Sequence, residues 1–277
     1  MVTNPDRPAG RGLEPRPPPV KEAALASSLD VIQPHKARDP ALEAWLRERE
    51  PDVGTVVAYG RILPGSLLEV PRLGFVNVHF SLLPHYRGAA PVQRAMLDGL
   101  DRTGVSIMVL TEGMDEGPIL ARAELAIGED ETAGELGDRL ARLGAPLLVD
   151  ALEGYESGTL VPQEQDHERA SYAPKVSADE ARVRWSNSAR EIKDLVRGLN
   201  PAPGAWTTFR GKRVKLHRVR ATSGAGLEPG EIDPSGERAG AGDGAVELVE
   251  VQLEGRRVMS GAELARGLRV TPGERFE

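Results

Sequence analysis

Along the first half of this chain, apolar positions switch repeatedly between the period of a helix and that of a strand. They recur at helical spacing through residues 21–29 and again through 41–49, where Leu42, Trp45 and Leu46 line one face and Pro51 ends the run. Val31-Ile32 reads as a short strand closed by Pro34, residues 53–59 as a buried strand, and 66–70 as a helical turn. The run 73–78 is apolar except for Asn77 and stops at Ser81, Pro84 and Gly88, the pattern of a buried strand that ends in a rigid loop. Residues 89–100 have helical spacing with Pro91 tolerated in the first turn, and 103–110 and 119–127 read as a pair of strands. Thr132 then caps a helix over 133–154 whose inner face carries Leu136, Leu140, Leu143, Leu147 and Leu148. Helix alternating with strand at this spacing predicts an α/β fold: a doubly wound, mostly parallel, Rossmann-like sheet with helices on both faces.

The pattern changes after residue 160. Residues 160–179 are polar, Pro-containing and without period, which reads as an interdomain linker. A helix over 188–199 follows, and then short alternating runs at 207–209, 213–219, 245–253 and 256–259, separated by turns such as Arg210-Gly211-Lys212 and Gly242-Asp243-Gly244. Such runs predict a small, OB-like β-barrel, with a flexible Gly/Ala-rich insertion at 223–242. The expected organisation is a first domain over 1–160, a linker over 161–179 and a C-terminal barrel over 180–277.

Composition narrows the function. A chain of 277 residues with 40% hydrophobic content can bury a sizeable core. The absence of cysteine excludes a disulfide framework, a thiolate nucleophile and a Cys-based zinc site. No apolar stretch has membrane-spanning length and no signal-peptide core opens the chain, so a soluble cytoplasmic protein is expected. A net charge of -7 argues against indiscriminate coating of nucleic acid, yet it hides a basic region. Between residues 181 and 220 lie Arg182, Arg184, Arg190, Lys193, Arg197, Arg210, Lys212, Arg213, Lys215, Arg218 and Arg220, against Glu191 and Asp194 only. A basic barrel poor in aromatics suits contact with a phosphate backbone better than base stacking, although an ordinary solvated face has the same composition.

Candidate chemistry concentrates at the end of the 73–78 strand. Side chains two apart in a strand share a face, so Asn77 and His79 project together. The amide can donate to a developing oxyanion, and an imidazole can move a proton at neutral pH. Downstream, Thr111-Glu112-Gly113-Met114-Asp115-Glu116-Gly117-Pro118 sets Asp115 in a tight loop, where it can orient an imidazole from a neighbouring strand. Alone, the first pair also describes a satisfied core histidine, and Asp115 alone describes an Asx-turn carboxylate.

Taken together, Asn77-Val78-His79, Ser81-Leu82-Leu83-Pro84, Arg87-Gly88-Ala89-Ala90-Pro91 and Met114-Asp115-Glu116-Gly117 resemble the folate-dependent formyltransferases, most closely the members that act on a charged tRNA. The resemblance runs from Thr3 nearly to the C-terminus and includes Tyr172-Ala173-Pro174-Lys175. It implies transfer of the formyl group of N10-formyltetrahydrofolate to the amino group of initiator methionyl-tRNA by a cytoplasmic monomer, with no membrane and no metal, the electrophile being an already activated formamide. It implies catalytic roles for Asn77, His79 and Asp115, and folate contact for Tyr59, Ser81, Leu82, Leu83 and Pro84. The Pro- and Gly-rich stretch 4–19 corresponds to the loop that enters the tRNA acceptor end, with Arg7, Arg11 and Arg16 as backbone contacts and Arg11 foremost, while Lys212, Arg213 and Lys215 represent the basic barrel. Arg87 is either a structural tie or a nucleic-acid contact. In the family pattern a strand, a Gly-Thr-Pro turn, a helix and a second strand precede the Arg-rich loop; here only Met1-Val2-Thr3 precedes Asn4. A unit of about 30 residues is thus expected upstream of an assigned start that lies too late, giving an N-terminally truncated sheet. The alternatives are a catalytically inactive tRNA-binding copy, or a formyltransferase for a ribonucleotide or amino sugar, against which the basic barrel argues.

Overall fold

A computed structural model describes residues 1–9, 14–224 and 226–277. Its elements in chain order are β1 (Arg7–Ala9), β2 (Glu14–Arg16), α1 (Pro19–Ala26), α2 (Pro40–Glu48), β3 (Gly54–Val57), α3 (Gly65–Leu68), β4 (Phe75–His79), α4 (Pro91–Leu97), β5 (Arg102–Val109), β6 (Ile119–Ala126) and α5 (Ala133–Glu156). The C-terminal part adds α6 (Ala189–Gly198), β7 (Ala205–Phe209), β8 (Lys212–Thr222), β9 (Arg238–Gly240), β10 (Ala245–Leu253) and α7 (Gly261–Leu268). Proline opens α1, α2 and α4, where its missing N–H leaves no bond unmade. Thr132 caps α5 reciprocally: Glu135 N donates to its Oγ1 at 3.3 Å, and Thr132 N to Glu135 Oε2 at 2.8 Å. On the inner face of α5, Leu136 and Leu140 are wholly buried.

The chain forms two compact units. The first comprises Met1–His79, Ser106–Arg122 and Pro146–Glu168. Its core gathers Ala37, Leu42, Leu63, Leu67 and Phe75, with Val2, Ile32, Val56 and Tyr59 packed against them. Val2 and Ile32 form a parallel bridge, so the expected short strand at 31–32 exists as a single pairing. Four strands make one sheet in the order β3-β4-β5-β6. β3 and β4 run parallel, but β4 and β5 run antiparallel with His79 opposite Ser106, so the sheet is mixed rather than mostly parallel. An apolar run reports burial on both faces of a strand and carries no information on the direction of its neighbour.

The second unit comprises Phe80–Val105, Ala123–Ala145 and Arg169–Glu277. Its antiparallel sheet has the order β7-β8-β10-β9, bent by a bulge between Leu248 and Val251. The inner face packs Val214, Leu216, Val246, Leu248 and Val251 against Ile192 and Val196 of α6, while Phe276 stacks on Trp185 with ring centroids 5.1 Å apart. The stretch expected to be a flexible insertion is instead built in: Ile232 and Ala239 are core residues, and Asp233 accepts from Ser235 Oγ and from the backbone of Glu237 and Arg238. Side chain-to-backbone bonds of this kind order a Gly-rich segment without leaving any hydrophobic period to read.

Residues 161–179, read as a linker, are strapped down in each unit. Gln163 exchanges backbone bonds with Ile119 in the first, and Ala173 N donates to Arg87 O at 2.7 Å in the second. There, Arg94 also donates to Pro174 O at 2.9 Å and to Glu180 at 2.7 Å, and Ser177 N donates to the other Glu180 oxygen. No helix of the described residues is long and apolar enough to cross a membrane.

The bonds from Arg94, and then from Ser177, hold the Glu180 carboxyl at about 2, well below its ordinary 4.5. A depressed carboxyl contributes stability above its unfolded value, and that contribution is lost as pH falls through the folded one. Glu180→Gln therefore lowers the melting temperature slightly at neutral pH, because the carboxylate is 45% exposed and screened. The difference from the parent closes as pH falls from 4.5 toward 2, and thermal melts across that range check it.

Candidate active site

β4 is the inner strand on which the site is built, flanked by β3 and β5. Phe75 and Val76 are buried and anchor it, and Leu110 N donates to Phe75 O at 2.7 Å. Asn77 and His79 fall on one face, as the strand period requires. The ring of His79 is only 6% exposed and its Nδ1 lies 3.7 Å from Oδ2 of Asp115. That separation is longer than a hydrogen bond and brings the carboxylate into range of a Coulombic interaction with the ring.

Asp115 reaches His79 because its loop takes an unusual path. Its φ is +51°, a left-handed conformation that Asp tolerates better than most residues. Two residues on, a Cβ at Gly117 would run into the carbonyl oxygen of Val109, so only glycine lets the chain pass. Val109 N donates to Pro118 O at 2.9 Å and closes the loop. The loop has a further support that the sequence reading passed over as linker. Gln165, 4% exposed, donates from Nε2 to Asp115 O at 2.9 Å and to Gly117 O at 2.7 Å. A polar residue in an aperiodic stretch carries no local sign of burial, so only a backbone with unsatisfied carbonyls opposite it discloses the role.

Tyr59 belongs to the same unit. Its hydroxyl is buried and has no hydrogen-bond partner among the described residues, and burial, opposed by the nearby Arg61 cation, pushes the phenol up from its ordinary value. Asn4 Nδ2 donates to Tyr59 O at 3.2 Å, and Gln33 Nε2 donates to Asn4 O and to Asp6, which also meets Lys21 at 2.8 Å. These bonds hold the base of the β1–β2 hairpin, in which exposed Arg7 and Arg16 stand directly opposite each other. Arg11 lies outside the described residues.

The remaining sequence-derived residues lie in the second unit. Ser81 is fully buried with its Oγ donating to His85 O at 2.6 Å, Leu83 and Pro84 are buried, and Leu82 is half-buried. Arg87, 2% exposed, is a buried structural element rather than a surface contact. Eight of the eleven basic residues of 181–220 fall into two groups, paired and unpaired, while Arg190 lies 3.8 Å from Asp194 and Arg182 lies over Trp206. Arg197 pairs with Asp194 at 2.6 Å, Lys193 with Asp130 at 2.9 Å, Arg220 with Glu247 at 3.4 Å, and Arg210 and Arg218 with Glu274 and Glu135. Lys212, Arg213 and Lys215 are exposed on β8 and have no ion pair among the described residues; Arg213 lies over the Trp206 ring at 3.9 Å. No group of three or more His, Cys, Asp or Glu among the described residues is arranged to hold a metal ion.

Two family models match the chain: Formyl transferase over residues 1–152, and Formyl transferase, C-terminal domain, over 175–269. The methionyl-tRNA formyltransferase of Geobacter metallireducens is 43% identical over 279 residues, covering 100% of this chain and 89% of the relative. That of Myxococcus xanthus is 45% identical over 276 residues, covering 99% and 88%. Among solved structures, HypX from Aquifex aeolicus in complex with tetrahydrofolic acid superposes with a TM-score of 0.65 at 20% identity, over 82% of this chain and 41% of HypX, a likeness of fold.

Tyr59→Phe removes only an oxygen with no partner among the described residues. Stability in urea stays level or rises by up to about 1 kcal/mol, because an unsatisfied buried hydroxyl is a cost in the folded state. A loss of that size would mean that the hydroxyl is bonded in solution.

Proposed function

The chain belongs to the formyl transferase family, and on that premise we propose that it transfers the formyl group of N10-formyltetrahydrofolate to the amino group of methionine esterified to initiator tRNA. The observation that carries this reading is identity of 43% and 45% to methionyl-tRNA formyltransferases across essentially the whole chain. The folate supplies an activated formamide, so the protein has to orient an amine, stabilise an oxyanion and move protons.

Three side chains divide that work. The amine adds to the formyl carbon and the carbonyl electrons move onto oxygen, where the Asn77 amide and protonated His79 receive the charge. Asp115, 3.7 Å from the imidazole, stabilises the imidazolium and takes part, directly or through water, in removing the amine proton. When the carbon–nitrogen bond to the folate breaks, His79 or a water returns a proton to the leaving nitrogen. The buried hydroxyl of Tyr59, without a partner among the described residues, supports a polar ligand beside the loop that follows β3, while folate contact by Ser81, Leu82, Leu83 and Pro84 rests on the family resemblance.

For the tRNA, the reading assigns phosphate contacts to Arg7, Arg11, Arg16, Lys212, Arg213 and Lys215. Like charges directly opposite, as at Arg7 and Arg16, are unfavourable until an anion lies between them. The finer architecture that accompanies the reading is a doubly wound Rossmann-like domain over 1–160 and an OB-like barrel over 180–277, working as a cytoplasmic monomer. The limits of the two family models, 1–152 and 175–269, support that division.

The test is transfer of formate label from N10-formyltetrahydrofolate to methionyl-tRNA at fixed salt. Asp115→Asn and His79→Ala each lower kcat by about 10²–10⁴-fold with little change in tRNA affinity. Full turnover by Asp115→Asn sinks the role given to that carboxylate. The triple substitution of Lys212, Arg213 and Lys215 by Ala weakens tRNA binding and makes the plot of log K against log salt shallower by about 2–3, near one unit per lost phosphate contact. An unchanged slope removes those side chains from the interface.

A further inference from the structure

We propose that Gln165 is a positioning residue for the reaction: its side-chain amide clamps the loop 111–118 and thereby holds Asp115 against His79. The inference rests on the functional reading above and adds to it a residue that none of the motifs contains.

Three observations within the first unit carry it. The same Nε2 donates to the carbonyls of Asp115 and Gly117, at 2.9 and 2.7 Å. Both bonds fall on the part of the loop whose backbone is least at ease, between a left-handed Asp115 and a glycine that cannot be replaced without collision. And Gln165 is itself fixed in register: Ile119 N donates to Gln163 O at 2.7 Å and Gln163 N to Ile119 O at 2.9 Å, an antiparallel bridge that sets residue 165 beside Gly117. The amide is 4% exposed, so water cannot easily replace it as donor.

The chemistry requires this residue type. Two carbonyl oxygens converging on one point need a neutral group with two N–H bonds, which a carboxamide supplies and a carboxylate, hydroxyl or aliphatic side chain does not. Without the donor, the part-buried Asp115 carbonyl and the buried Gly117 carbonyl both lose this bond, and rotation of the Asp115 peptide toward water carries its carboxylate away from the imidazole. A shift of about 1 Å in a group that acts at the reacting centre costs about a hundredfold in rate. Because Gln165 acts through Asp115, its loss is expected to fall on kcat and leave both KM values in place.

Two variants and a cycle test the clamp. Gln165→Leu removes both donors, and Gln165→Glu keeps the size of the side chain while turning an acceptor toward two acceptors. Each is expected to lower kcat about ten- to a hundredfold, with KM for folate and for methionyl-tRNA unchanged. The double variant Gln165→Leu with Asp115→Asn is expected to be no slower than Asp115→Asn alone, because the clamp acts through that carboxylate; a merely structural residue gives additive losses. In parallel, amide hydrogen exchange of the peptide spanning 111–118 speeds up about tenfold in both Gln165 variants while the β4 peptide is unaffected. Unchanged kcat, additive losses or unchanged exchange in the loop overturns the proposal. If the parent chain itself forms no formylmethionyl-tRNA, the functional reading fails, and the exchange experiment still decides whether Gln165 clamps the loop.

Discussion

A carboxylate held 3.7 Å from an imidazole that water scarcely reaches is the constraint around which the first unit is built. To present His79, β4 must be an inner strand with Phe75 and Val76 buried beneath it. To present Asp115, the loop after β5 must bend through a left-handed residue and close on Gly117. That bend aims two carbonyls at one place, and Gln165 meets them from a segment with no regular structure of its own. The conformational cost at Asp115 is thus met by hydrogen bonds from a neighbour, as is usual where backbone strain persists in a folded chain.

In the second unit the governing constraint is electrostatic. A run of eleven basic residues with two acids has the composition of a polyanion-binding surface, but most of these charges are already engaged. Lys193 and Arg197 are nearly buried and paired, and Arg210, Arg218 and Arg220 are satisfied by acids distant in sequence. Lys212, Arg213 and Lys215 of β8 are exposed and have no ion pair among the described residues, and Arg213 is braced on Trp206. A substrate with many phosphates fits such a surface, and the net charge of -7 keeps the rest of the molecule from binding one indiscriminately.

Much of this was legible before any coordinates. Periodicity located the helices at 40–48 and 133–156, and the apolar strand broken by Asn77, because burial imposes a repeat on the sequence. Pro91 was legible in the first turn of α4, since its ring fixes φ wherever it occurs, whereas Pro19 and Pro40, which open α1 and α2, lie before the helical runs read at 21–29 and 41–49. The antiparallel turn of β5 against β4 was not legible, because a strand buried on both faces looks alike whichever way its neighbour runs. Nor was the order in residues 230–241, where Ile232 and Ala239 are buried without a readable period and Asp233 fixes the backbone between them by local hydrogen bonds.

The sequence by itself determined most of the helices and strands and the order of the motifs, because these follow from residue type and short-range spacing, and it offered Asn77, His79 and Asp115 as candidates through the resemblance those motifs carry. Only the tertiary structure decided which groups meet: that Asp115 faces His79, that Gln165 of an apparent linker supports their loop, that Arg87 is buried, and that Lys212, Arg213 and Lys215 keep their charges free of ion pairs among the described residues. The reason is the same in each case. A hydrogen bond or an ion pair depends on distance between atoms far apart along the chain, and no local period records that distance.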